Sequence, residues 1–85
     1  ALHQNYPNPF NPVTTISYNL PTDADFVTLQ VYNVVGQLIE TLVNKSQAAG
    51  YHKITWDARQ MPSGIYFYHL NANEFSQTQK MILVK

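Results

Sequence analysis

The 85-residue sequence contains no cysteine, only three glycines and ten charged side chains, five basic and five acidic. Without thiols there can be no disulfide, no thiolate catalysis and no Cys-ligated zinc. A formal net charge of zero lacks the clustered Lys and Arg that grip a phosphate backbone, so no nucleic-acid partner is expected. A polybasic stretch for an anionic membrane surface is missing as well. No apolar run reaches the 18 or so residues of a membrane-spanning helix. Ala1-Leu2-His3-Gln4-Asn5 has neither initiator Met nor a signal-peptide apolar region, and the piece is expected to come from a longer chain. A chain of this size folds to about 5,000 Å² of surface around one core. So small a scaffold argues against a self-contained enzyme cleft.

What the sequence does contain is alternation. β-Branched and aromatic residues alternate with polar ones between turn clusters, the pattern of strands, and helix signals are poor throughout. Strands are expected over about Val13–Leu20, Phe26–Asn33, Gln37–Val43, Tyr51–Asp57, Gly64–Ala72 and Ser76–Lys85. Leu38-Ile39 and Leu42-Val43 break strict alternation, so a bulge or one helical turn is an alternative there. Gly36 is expected at positive φ in the hairpin after Asn33. Gly64 is assigned to a close backbone approach at a corner where the chain changes sheets. The fifth strand is nearly continuous in apolar bulk, and both its faces are expected to be covered, at least in part. Ile16, Tyr18, Leu29, Val31, Ile54 and Trp56 make the expected core. The fold class is all-β, a small antiparallel immunoglobulin-like β-sandwich of six or seven strands.

Residues 1–12 stand apart from the sandwich of residues 13–85. Pro7, Pro9 and Pro12 alternate with Asn and aromatic residues, which reads as a stiff extended linker from an upstream domain, pinned by Tyr6 and Phe10.

Chemistry is sparse. His3, His52 and His69 share no metal-ligand spacing and have no carboxylate beside them, so no metal site is expected. Asp23 and Asp25 share a hairpin but lack the further oxygen ligands of a calcium loop. No nucleophile elbow, phosphate loop or dinucleotide fingerprint occurs; neither catalysis nor a cofactor is expected. Tyr32, Tyr51, Trp56, Tyr66, Phe67 and Tyr68 allow two readings, a flat sugar-stacking platform or core filling.

Asn5-Tyr6-Pro7-Asn8-Pro9-Phe10-Asn11-Pro12 is followed by Thr15-Ile16-Ser17-Tyr18, Leu20-Pro21, Val31-Tyr32-Asn33 and Gly36. Gly50-Tyr51-His52, Trp56-Asp57, Ser63-Gly64-Ile65-Tyr66-Phe67-Tyr68 and a terminal Lys80-Met81-Ile82-Leu83-Val84-Lys85 complete the series. Taken together this resembles the type A C-terminal sorting domain of the type IX secretion system, and also the immunoglobulin-like domain of flagellar hook-capping proteins. The resemblance implies a non-catalytic signal that directs an upstream cargo domain across the outer membrane, by way of the periplasm, to the cell surface or medium. Its implied partners are the outer-membrane secretion machinery and a sortase-like protease, with the domain itself a monomer. Lys80, Met81, Ile82, Leu83, Val84 and Lys85 are the candidate recognition segment. The alternatives are a passive spacer or hook-assembly module and a carbohydrate-binding module.

Overall fold

In the computed structural model, which describes residues 1–85, the alternating segments form six strands: β1 Val13–Leu20, β2 Ala24–Asn33, β3 Leu38–Gln47, β4 Gly50–Asp57, β5 Gly64–Ala72 and β6 Phe75–Leu83. There is no helix. β1 and β4 make one antiparallel sheet, and the other runs β3-β2-β5-β6, antiparallel throughout. The folded surface is 4980 Å², as the chain length predicts.

Period-2 alternation sends one set of side chains from each strand inward. Ile16, Tyr18 and Leu20 of β1 meet Val27, Leu29 and Val31 of β2 and Tyr66, Tyr68 and Leu70 of β5 in a single core. Trp56 is buried between the sheets, with its ring centroid 5.8 Å from that of Phe10 and 5.6 Å from that of Tyr66. Its indole N–H donates to Glu40 of β3, which satisfies the polar end of an otherwise apolar plug. Ile54 is only half-buried, because β4 is an outer strand.

Several expectations change in detail. β3 runs four residues further than its alternation indicated, and its pairing with β2 carries register shifts, the bulged alternative. β5 is fully covered on one face and partly on the other: Tyr66, Tyr68, Leu70 and Ala72 point in, while on the outer face Phe67 and His69 are half-buried and Ile65 is 41% exposed. Its apolar bulk therefore reaches the outer surface. Gly36 lies at φ +84° in the β2–β3 turn, as expected. Gly64 needs glycine for a different reason from the one expected. A Cβ there would meet nothing within 4 Å, but φ is +151°, so backbone conformation and not close approach sets the requirement.

Truncating Trp56 to alanine removes the largest buried ring, and unfolding in guanidinium is expected to show a loss of about 3–5 kcal/mol. Gly36→Val faces open space, so any loss reports backbone conformation alone. At least about 1–2 kcal/mol is expected, and an unchanged midpoint would contradict the turn geometry.

Candidate recognition surface

A sheet edge exposes unpaired N–H and C=O groups that another strand can use. Since β6 is last in its sheet, Lys80–Lys85 would offer such an edge if nothing covered it. Residues 1–12 cover it. Ile82 accepts from the Phe10 N–H and donates to the Asn8 side chain, Val84 donates to the Phe10 carbonyl, and the Gln4 side chain donates to the Lys80 carbonyl. The same segment pairs with β1 on its other side. Tyr6 and Thr15 exchange both backbone bonds, and the His3 N–H donates to the Ser17 carbonyl. The expected linker is therefore a clasp that closes the seam between β1 and β6. The peptide bonds preceding Pro7, Pro9 and Pro12 are cis.

The side chains explain why the clasp stays in place. Leu2 and Phe10 are buried among the core residues, whereas Tyr6, the other expected anchor, is 81% exposed. Asn5 is buried at 2% exposure, and its amide donates to Thr14 Oγ1 and to the Pro7 carbonyl. Its backbone N–H donates to the Tyr68 hydroxyl, which in turn donates to the His3 carbonyl. Gln77 and Gln79 take positions of β6 that alternation turns toward the core; one accepts from the Leu2 N–H and the other donates to the Leu2 carbonyl. Polar groups this deep are tolerable because each is hydrogen-bonded. The inward parity of Gln77 and Gln79 was the available signal that something polar must lie across them.

Within the candidate segment, Met81 and Leu83 are core residues, fully buried. Lys80, Val84 and Lys85 are exposed and Ile82 is half-exposed. Phe67 stands opposite Lys80 and Ile65 opposite Ile82, and Tyr32 of β2 stands opposite Phe67. The outer face thus carries an aromatic and aliphatic strip bordered by Lys80. Lys85 reaches the other way and donates to the Arg59 carbonyl.

The other candidates separate. Trp56, Tyr66 and Tyr68 lie in the core, Tyr32 and Phe67 are half-buried and Tyr51 is 61% exposed, so the six rings form no single platform and the core-filling reading holds for three of them. His52 stacks on Tyr18, His3 bonds Asn19, and His69 sits between Thr78 and Ser76 on the outer face. No three metal-ligating side chains converge. Asp23 accepts from the Ala49 N–H and its carbonyl from the Asn73 amide, which ties the β1–β2 turn to the β3–β4 and β5–β6 turns. The Ser76–His69 pair was not foreseen from sequence. No carboxylate orients its imidazole, and it lies on an open sheet face.

The ionisable groups follow these environments. Burial is the larger influence on the Tyr68 hydroxyl and pushes its pKa up to about 12, against a smaller lowering by the Asn5 N–H. The Arg59 guanidinium lowers the Asp57 pKa at the surface.

A family model described as the secretion system C-terminal sorting domain matches residues 4–85. The chain belongs to this family. The family is in general non-catalytic, and its members are exported to the cell surface or secreted. The match begins within the clasp, so this sorting domain includes most of the proline-rich segment. Its fold is similar to part of PorZ, an essential bacterial surface component of the type IX secretion system of Porphyromonas gingivalis, at 19% identity and a TM-score of 0.68. FlgD from P. aeruginosa is similar at 26% identity and a TM-score of 0.61 over 82% of the chain. The sorting domain spans 12% and 57% of the lengths of those two structures. No curated protein is significantly similar to the chain.

Tyr68 gives the clasp a pH signature. Unfolded tyrosine ionises near pH 10 and folded Tyr68 near 12, so its contribution is complete below pH 10 and is lost as pH rises toward 12. Tyr68→Phe leaves the buried Asn5 N–H and the part-buried His3 carbonyl without their partner, at a cost of about 1–3 kcal/mol. Denaturation midpoints between pH 8 and 12 are expected to fall less steeply in that variant than in the parent.

Proposed function

We propose that this domain is the sorting signal of the type IX secretion system that carries an upstream cargo domain across the outer membrane. The observation that supports this most is the family match over residues 4–85. Export machinery that handles unrelated cargoes needs a recognition feature independent of cargo fold, and a folded module appended to each cargo meets that need. The machinery reads outward-facing side chains, Lys80 and Ile82, backed by Ile65 and Phe67, with Val84 beyond, and Lys85 as a separate exposed charge. Met81 and Leu83 act indirectly, by anchoring β6 to the core. A sortase-like protease then separates cargo from signal, and the domain acts as a monomer.

The likeness to FlgD supports a second reading, in which the module is a passive spacer or assembly element. Export distinguishes the two. Residues 1–85 fused to the C-terminus of a periplasm-directed reporter are expected to take that reporter outside a host with type IX machinery. Replacing both Lys80 and Lys85 by alanine is expected to reduce export about tenfold with little change in melting, because exposed lysines contribute little to stability. A folded intact fusion retained in the periplasm would favour the spacer reading.

A further inference from the structure

Each of the four outer strands has an edge to protect, and three are protected. β6 and β1 lie under the clasp. β3 is irregular, with register shifts along its pairing with β2, and bulges of this kind discourage further strand pairing. β4 has neither a covering segment nor a bulge, and its edge carries one charged residue at its middle, Lys53. Its eight residues pair with β1 in unbroken register from Gly50↔Leu20 to Asp57↔Val13, with no proline and no bulge.

Which groups of β4 are free follows from the clasp. Thr15, Ser17 and Asn19 of β1 bond to Tyr6, His3 and Ala1, so their main-chain groups face away from β4. Bonded and non-bonded pairs alternate in an antiparallel ladder. Thr14, Ile16, Tyr18 and Leu20 therefore take the bonds to Trp56, Ile54, His52 and Gly50. The N–H and C=O groups of Tyr51, Lys53 and Thr55 are left pointing outward, on residues that are exposed. Ile39 and Leu42 of β3 and Ile54 of β4 are only partly buried against the core, and the Trp56 indole of β4 donates to Glu40 of β3. The seam between β3 and β4 thus lacks what Leu2 and Phe10 supply to the seam between β1 and β6.

We infer that β4 is a strand-acceptor edge, and that its occupant is an extended segment of the secretion machinery with apolar side chains at alternate positions. The clasp shows the chemistry of such an occupant: main-chain bonds to an edge strand and apolar side chains in the seam. Strand addition reads the main chain and so does not depend on the exposed side chains of β4. A second copy is disfavoured, since antiparallel pairing centred on Lys53 sets two like charges directly opposite each other. This inference rests on the sorting reading and adds a contact on the side of the molecule remote from Lys80.

Amide hydrogen exchange tests it on the intact 85-residue chain, free and mixed with outer-membrane vesicles from a host with type IX machinery. The amides of Tyr51, Lys53 and Thr55 are expected to slow at least tenfold on binding, with little change at His52, Ile54 and Trp56, which are already bonded. Lys53→Pro removes only an outward N–H, a substitution edge strands tolerate; it should weaken vesicle binding at least tenfold, whereas Lys53→Ala should not. Binding that leaves the three amides exchanging freely overturns the inference alone. Protection at those amides in the free chain at high concentration identifies a second copy as occupant and also overturns it. Absence of any binding removes both the sorting reading and the inference.

Discussion

The structure depends on closing one seam between two unequal sheets. β1 and β4 alone would make a two-stranded ribbon, which is marginal by itself, lying over a four-stranded sheet with bare edges. Residues 1–12 bond to β1 on one side and β6 on the other, and they place Leu2, Asn5 and Phe10 in the gap. Tyr68, from the middle of the larger sheet, fastens this segment by donating to the His3 carbonyl and accepting from the Asn5 N–H. Trp56 completes the arrangement from the other sheet, tilted against Phe10 and edge-on to Tyr66.

Much of the sandwich was legible because burial on one face imposes period-2 alternation. β1 and β5 have the boundaries that alternation indicated, and Gly36 has the positive φ that the turn required. The clasp was not legible as such. Proline reports local backbone geometry, and the same residues suit a free spacer or a segment packed against a sheet. Only tertiary contacts, through Gln77, Gln79 and Tyr68, distinguish the two. The extra length of β3 was missed because Asn44–Gln47 is polar on an edge strand, where burial imposes little pattern. The aromatic residues were ambiguous for a related reason: ring content is the same for a core and a platform, and strand parity with sheet order decides which rings face inward.

The clasp also changes how the terminal strand can act. With its main chain already bonded to Gln4, Asn8 and Phe10, β6 presents side chains to a partner and not a bare edge. The main-chain surface of the molecule moves to β4. A sorting domain built this way separates its two exposed features, a side-chain strip around Lys80 and a regular strand edge around Lys53, on opposite sides of one core.

The most direct test of this account is whether residues 13–85 fold without the clasp. Leu2 and Phe10 alone represent roughly 1.5–3 kcal/mol each of buried apolar side chain, against a total stability of about 5–15 kcal/mol for a domain. Denaturant unfolding of 1–85 is expected to be cooperative. The 13–85 chain should lose at least about 3 kcal/mol or show no cooperative transition. Equal midpoints and slopes for the two chains would mean that residues 1–12 are a free linker, and would contradict the account.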